Sequence, residues 1–164
     1  MAGASFSIGL TSDVAQLRAR LDDELKTLDK HGLNLAIGHL LLNSTLDRFK
    51  KGIGPDGKAW PESGRVKAEN GRRKKGRPKG KTLVDTARLR NSLHVFADQE
   101  IAEVGTDVIY ARIHQLGGDT GRGHATHLPA RPYLPFDGEG GGFPDEDRDL
   151  VMKTIENWIG ERLK

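Results

Sequence analysis

The chain has 164 residues, enough for one domain with a modest core. It contains no cysteine, which excludes both a disulfide framework and a thiolate metal site. No stretch approaches the roughly 20 apolar residues that a membrane helix needs. Residues 1–10 do not combine a basic stretch with a long apolar run, so neither a membrane span nor a secretion signal is expected.

The net charge is only +3 at pH 7, and the positive charge is concentrated in one segment. Residues 65–81 hold nine Lys or Arg and one acid, Glu69. Because residues 62–81 have few apolar side chains, we predict a mobile basic loop in the free subunit. It is either a solvated loop or a loop that contacts DNA or a partner after assembly. The candidate contact residues are Arg72, Arg73, Lys74, Lys75, Arg77, Lys79 and Lys81.

Apolar periodicity predicts a strand and two helices before the basic segment. Residues 5–10 alternate as a short strand, and residues 14–28 carry the apolar stripe of an amphipathic helix. We interpret residues 30–32 as a break before a well-buried second helix over residues 33–51. The pattern does not decide whether Gly32 separates two helices or kinks one. Residues 52–57 are typical of a turn, and Trp60 is expected to anchor the next loop on the core.

The second half of the chain predicts a hairpin over residues 92–106 and a short helix over residues 110–116. A Gly-rich loop and a proline-rich extended segment, residues 128–136, follow. Pro144 is expected to start a final helix. The chain is therefore predicted to be one α+β domain over residues 1–164, with a small antiparallel sheet packed with N-terminal helices and a C-terminal helix.

We find no phosphate-binding Gly-rich loop, no G-x-S-x-G motif and no H-E-x-x-H motif. A zinc site could be drawn from His114, His124, His127 and Asp119. However, two of these histidines lie in a Gly-rich loop that would not fix the geometry of the ligands. We therefore expect neither catalysis nor a cofactor.

Four segments occur in an order and spacing similar to those of a known family. They are Arg48-Phe49 with PDGKAW (55–60), LVDTARLRNSL (83–93), VGT with YARIHQLGG (104–118), and LPARPYL (128–134). Together they resemble the phage virion morphogenesis family, which includes the tail-completion proteins of contractile-tailed phages. Ala87 stands where the family pattern has Gly, which we interpret as a turn that needs no left-handed residue.

The resemblance implies a structural virion protein that forms a ring at the tail end or the head–tail neck, completing tails and joining them to heads. We expect a hexamer, because the tail tube is six-fold in such phages, with a dodecamer as the second possibility. The expected partners are the tail tube, the tail terminator or the head–tail connector, met in the host cytoplasm during assembly. The alternative is a nonspecific DNA-binding protein that uses the basic loop, residues 65–81.

Residues from two of these segments are the candidates for a subunit or partner interface. Tyr110 is expected to pin the short helix to the sheet together with Ile113, and His114 and Gln115 to hydrogen-bond across to a loop. Arg131 is expected to bridge to an acid, within the subunit or on a neighbour, from a segment stiffened by prolines. The full candidate set is Tyr110, His114, Gln115, Arg131, Pro132 and Tyr133.

Overall fold

The computed structural model describes residues 29–72, 80–136 and 143–162, together with Ala19. The strand predicted over residues 5–10 lies outside this range, and of the helix predicted over residues 14–28 only Ala19, which is helical, lies within it. The fold belongs to the α+β class, as predicted. Its helices are α1 (Lys30–Lys51), α2 (Gly64–Gly71), α3 (Arg88–Asn91), α4 (Ala111–Leu116) and α5 (Asp145–Arg162). Its strands are β1 (His94–Ala97), β2 (Ala102–Gly105), β3 (Gly118–Thr120) and β4 (Thr126–Leu128).

Helix α1 begins earlier than the sequence predicts. Asp29 is its N-cap, and the Asp29 Oδ1 atom accepts a hydrogen bond of 2.9 Å from the backbone N–H of Gly32. Such a cap satisfies one of the unpaired donors in the first turn of a helix. Gly32 therefore lies inside the first turn, and the break predicted at residues 30–32 is wrong. The other end is as predicted, because Gly52 is left-handed and ends the helix.

Part of the segment predicted as a basic loop is helical. Helix α2 lies within residues 62–81, and the Ser63 hydroxyl caps it by accepting a hydrogen bond from the Val66 N–H at 3.3 Å. Val66 is 1% exposed, so one apolar residue suffices to dock this helix. Arg65 and Glu69 form an ion pair one turn apart, which favours the helical form. The loop interpretation is therefore wrong for residues 64–71, while residues 73–79 lie outside the described chain.

The turn before α3 requires a left-handed residue, contrary to our interpretation. Ala87 has φ of 59° and ψ of 9°, a conformation that costs an L-residue roughly 1–2 kcal/mol. The Thr86 hydroxyl accepts a hydrogen bond from the Arg88 N–H at 3.4 Å and helps to close this turn. The family's preference for Gly at this position thus has a direct physical reason, and Ala87 occupies it under strain.

Strands β1 and β2 form the predicted hairpin, with His94 opposite Gly105 and Ala97 opposite Ala102. Helix α1 packs against both strands. The approach is closest at Gly38, where an added Cβ atom would lie 2.4 Å from the Val95 Cγ1 atom. Gly38 is therefore required by packing, because any side chain there would push the hairpin away.

The surroundings of α4 were only partly predicted. Tyr110 is 39% exposed, and α4 is buried through Ala111 and Gln115, one turn apart. A contact of Tyr110 with the sheet stays a prediction. The Gly-rich loop predicted after α4 contains a second small hairpin, in which Gly118 pairs with Leu128. The fold thus has two two-stranded sheets within its described residues.

An aromatic cluster fills the centre of the core. The ring of Phe49 on α1 lies 5.4 Å from that of Trp60 and 5.2 Å from that of Tyr133, centroid to centroid. All three residues are at most 6% exposed. Such edge-on and tilted ring pairs add roughly 0.5–1.5 kcal/mol each beyond the area they bury. The cluster is completed by Leu89, Leu93 and Ala111, and the predicted anchoring of Trp60 is confirmed.

Helix α5 follows Pro144, as predicted, and packs on α1. The contact includes a buried ion pair between Arg48 and Asp147, whose side chains are 7% and 0% exposed. The hydroxyl of Ser44 donates a second hydrogen bond to Asp147 at 2.5 Å. Two residues 99 positions apart therefore join the two long helices. Within the described ranges, no helix combines the length and the apolarity that crossing a bilayer would need.

Replacing Ala87 with Gly is expected to stabilise the protein by roughly 0.5–1 kcal/mol. The relieved strain, about 1–2 kcal/mol, exceeds the added entropy of the unfolded chain, about 0.4–1 kcal/mol. Urea unfolding measures the difference. The matched control is Ala36→Gly, on the exposed surface of α1, which should destabilise by about 0.5–1 kcal/mol. A loss of stability in Ala87→Gly would contradict the strained turn.

Replacing Asp147 with Ala is expected to lower the free energy of unfolding by about 3–5 kcal/mol. The change leaves the buried Arg48 guanidinium without its counter-charge. The control is Asp145→Ala in the same helix, which breaks an exposed pair with Arg148 and should cost at most about 1 kcal/mol. An equal loss of unfolding free energy in the two variants, measured by thermal or urea unfolding, would argue against a stabilising buried ion pair between α1 and α5.

Candidate functional site

Two of the family segments meet at α4 and the extended strand of chain beside it. The Gln115 Oε1 atom accepts hydrogen bonds from the backbone N–H groups of Tyr133 at 2.9 Å and Leu134 at 3.1 Å. The His114 carbonyl accepts one from the Arg131 N–H at 2.7 Å. The expected hydrogen bonding from His114 and Gln115 to a loop is thus present. For His114 it is made by the main chain.

Gly117 allows this close approach. It has φ of 72°, and an added Cβ atom would lie 2.7 Å from the backbone nitrogen of Ala130. A residue with a side chain would therefore be strained in its backbone and would also displace the extended segment. The Gly-Gly pair that ends α4 in the sequence serves to bring the segment against the helix.

Tyr133 and Pro132 join this segment to the core. Tyr133 is 1% exposed, and its hydroxyl donates a hydrogen bond of 3.3 Å to the Ala111 carbonyl. Burial raises the pKa of Tyr133 to about 12, because the interior disfavours the phenolate. The Pro132 carbonyl accepts a hydrogen bond of 2.7 Å from the Trp60 indole N–H. These contacts position the segment within the subunit, and a role at an interface stays a prediction.

Arg131 is 3% exposed, which sequence reasoning did not foresee. Its Nε donates a hydrogen bond of 2.7 Å to the Pro61 carbonyl. The acid that we expected as its partner is not found in the described part of the chain, where no carboxylate lies within ion-pair distance. Burial lowers the pKa of the Arg131 guanidinium from its usual value.

Arg131 lies in the wall of a cavity of about 410 Å³ between α4, α3 and the start of α2. Arg65 and Asp85 also line it and face each other at 3.5 Å, with Arg65 paired to Glu69 as well. Arg88 contributes a further positive charge. Tyr110 and His114 form the α4 side of the cavity, so three of the six interface candidates contribute to one wall.

His114, which lines this cavity, has an unsatisfied polar atom. Its Nδ1 atom is buried and has no hydrogen-bond partner among the described residues. Its ring stands edge-on to the Tyr110 ring, with centroids 5.8 Å apart. Burial lowers the pKa of His114, and the positive charge of Arg131 lowers it further. The imidazole is therefore held neutral beside the guanidinium.

Little of the predicted basic contact segment can be placed. Arg72 is exposed at the end of α2, and Arg73, Lys74, Lys75, Arg77 and Lys79 lie outside the described residues. The Lys81 ammonium donates a hydrogen bond of 3.2 Å to the Lys50 carbonyl. Arg65 donates one of 2.9 Å to the Lys81 carbonyl, which ties the two ends of the segment together. Contact with DNA or a partner stays a prediction.

The histidines of the drawn zinc site do not form a ligand cluster. His127 Nδ1 lies 2.7 Å from Asp119 Oδ1 on the exposed β3–β4 hairpin. In the described ranges, no three His, Cys, Asp or Glu side chains are close enough to hold a metal ion. The nearness of these residues in the sequence therefore does not correspond to a metal site in the described part of the fold.

Sequence reasoning missed the cavity as a unit. Arg65 and Arg88 are separated by 23 positions and belong to different segments. The available signal was the TARLR motif, because Ala87 is left-handed there and both Ala87 and Arg88 line the cavity with Arg131.

The pKa of His114 predicts a dependence of stability on pH. Its folded pKa is below the ordinary value of 6.5. As the pH falls below 6.5, the unfolded chain binds a proton that the folded chain does not, and stability falls until the folded pKa is reached. In His114→Gln, the loss of unfolding free energy between about pH 7.5 and about pH 5.5 should be smaller than in the wild type. An unchanged loss in urea titrations at both pH values would refute this.

Comparison with known proteins places the chain. The model of the phage virion morphogenesis family matches residues 11–160. The Mu-like prophage FluMu G protein 2 of Haemophilus influenzae is 46% identical over 85 residues, which are 52% of this chain and 56% of that protein. The chain thus matches little more than half the length of that relative. The putative capsid assembly protein G of Escherichia phage Mu is 31% identical over 154 residues, or 92% of this chain and 96% of that protein. No solved structure matches the chain. The chain belongs to the phage virion morphogenesis family.

Proposed function

We propose that the chain is a structural subunit that closes into a ring at the tail end or the head–tail neck of a phage particle. Its role is to complete tails and join them to heads, and it catalyses no reaction. The observation that carries this is the family membership, which extends over residues 11–160. The name of the phage Mu relative, a putative capsid assembly protein, is consistent with work in virion assembly.

The surface supports an assembling subunit. Ile109 is 98% exposed, and in the sequence it directly precedes Tyr110, which lines the Arg131 cavity. On α5, Leu150 and Met152 are 41% and 50% exposed. Large apolar side chains that are exposed in a single subunit become buried when they lie in a contact between proteins. The two exposed groups belong to different parts of the chain, since Ile109 precedes α4, while Leu150 and Met152 follow the acids at the start of α5.

Unlike patches are what a closed ring requires. In a cyclic assembly, one patch of each copy meets a different patch of the next copy. A hexamer would match a six-fold tail tube, and a dodecamer would match the portal. The partners would be the tube, the tail terminator or the head–tail connector, which supply the platform on which the ring forms.

Light scattering tests this proposal. The purified protein is measured at low and high salt, alone and after addition of isolated tails that lack it. We expect a subunit that associates on tails into a ring of about six copies, because the platform supplies part of the contact area. A monomer that ignores tails in all conditions, and that instead shifts DNA in a salt-dependent way, would replace the ring by the nucleic-acid function.

A pair of variants in one loop makes the test specific for the surface. Ile109→Ser should abolish or weaken the ring without loss of stability, because the side chain is 98% exposed in the subunit. Asp107→Ser, two residues earlier with a side chain 91% exposed, is the matched control and should assemble normally. Equal assembly of both variants would remove Ile109 from the contact.

A further inference from the structure

The cavity at Arg131 holds positive charge that no carboxylate in the described part of the chain neutralises by an ion pair with Arg88 or Arg131. Arg131 is 3% exposed, and its described hydrogen bonds are made by Nε and the main chain, to two carbonyl groups. A buried guanidinium without an anion is costly, because burial removes the water that stabilises its charge. The arrangement is stable at lower cost when an anion from outside enters the cavity.

The charges around the cavity define what could enter. Arg65 already faces Glu69 and Asp85. Arg88 lines the cavity and has no carboxylate within ion-pair distance among the described residues. Two guanidinium groups, those of Arg88 and Arg131, therefore remain for one incoming anion. His114 also lines this cavity.

A carboxylate fits this site better than a nucleic-acid phosphate. The side chain of Asp85, which faces Arg65, is 71% exposed and lies in the cavity wall, so a single negative charge meets less repulsion there than a run of phosphates does. A single carboxylate can meet an Arg guanidinium through two parallel hydrogen bonds. Tyr110 also lines the cavity, and this matches a protein partner, since buried Arg and Tyr groups often dominate binding between proteins.

The start of α5 offers the matching group. Asp147 is occupied by Arg48, and Asp145 pairs with Arg148. Glu146 and Asp149 are exposed and have no ion-pair partner in the described chain. Glu146 lines a different cavity, between α1 and the turn after it, which shares no residue with the Arg131 cavity. The Arg131 cavity and the two unpaired carboxylates thus lie on separate surfaces of one subunit.

We propose that the Arg131 cavity receives a carboxylate of Glu146 or Asp149 from a second copy of this chain. This inference rests on the proposed ring, since it names the contact that closes it. Because the cavity and the carboxylates belong to different surfaces, the contact is head-to-tail. The two copies at the ends of an open chain keep one unused surface each until the ring is complete.

Charge reversal at the two surfaces tests this contact. Arg88→Glu reverses the charge at an exposed residue of the cavity. Glu146→Lys together with Asp149→Lys reverses the charge at the start of α5. Each should lower the yield of rings on isolated tails by roughly tenfold or more. A protein carrying all three changes should recover at least half of the wild-type yield, since the charges are again complementary. The controls are Arg112→Glu, exposed and outside the cavity, and Glu156→Lys on the same helix, and both should assemble normally.

Cross-linking tests the same contact without a requirement for rings. The chain has no cysteine, so single cysteines can be introduced as specific cross-linking sites. One preparation carries Thr86→Cys at the cavity, and a second carries Leu150→Cys next to Glu146 and Asp149. The two are then mixed. A disulfide between the two proteins is expected under mild oxidation, and it should be lost when Arg88→Glu is added to the first.

The outcomes separate the two proposals. If the wild type forms rings, but the charge-reversed variants also do so and no cross-link appears, the cavity contact is wrong and the ring stands. If no ring forms but the cross-link appears and responds to Arg88→Glu, the ring is wrong and the contact stands. Absence of both overturns both. If Arg88→Glu lowers only the affinity for duplex DNA, the cavity takes phosphate and the inference is wrong.

Discussion

The extended segment 131–134 is the part of the chain on which the rest of the structure depends. It receives the Trp60 indole N–H at the Pro132 carbonyl, at 2.7 Å, and gives two backbone N–H groups to the Gln115 carboxamide. Between these bonds, Tyr133 enters the aromatic cluster beside Phe49. With the bond from Arg131 to the His114 carbonyl, all three backbone N–H groups of this segment are paired, although it has no regular secondary structure. It joins α1, α4 and the loop after α1 into one core.

The same constraint produces the candidate site. The segment is held from both sides, and the Arg131 side chain on it is 3% exposed, with its Nε donating a hydrogen bond to the Pro61 carbonyl. Two other devices depend on one residue each. The left-handed Ala87 presents Arg88 to the same cavity, and Gly117 lets the segment approach α4. The strained backbone of Ala87 and the buried charge of Arg131 therefore occur at one cavity. Strain and buried charge often occur together at functional sites.

Local signals in the sequence predicted the elements that depend on them. The apolar faces of α1 and α5, the alternation of the β1–β2 hairpin and the turn after α1 were all present in the structure. The α+β class followed from their order. Trp60 was recognised as an anchor because an isolated Trp beside turn residues has few other uses.

Other features depend on contacts that sequence spacing does not encode. Helix α2 was missed because composition argued for a loop, while one buried Val66 and a Ser63 cap were enough to order it. The pair of Arg48 and Asp147 joins residues 99 positions apart, and no local pattern distinguishes Asp147 from its acidic neighbours. The burial of Arg131 also became visible only when α3 and α4 were placed beside it, because the residues that enclose it come from separate segments.

We propose that this chain works as a member of a closed ring built by head-to-tail contacts. A cryo-microscopy reconstruction of intact particles at the tail end and the neck would show such a ring. We expect a closed ring of this chain, six-fold or twelve-fold, in which the Arg131 cavity of each copy faces the start of α5 of the next. A particle that lacks the chain at both positions, or that holds it as isolated copies, would rule this assembly out.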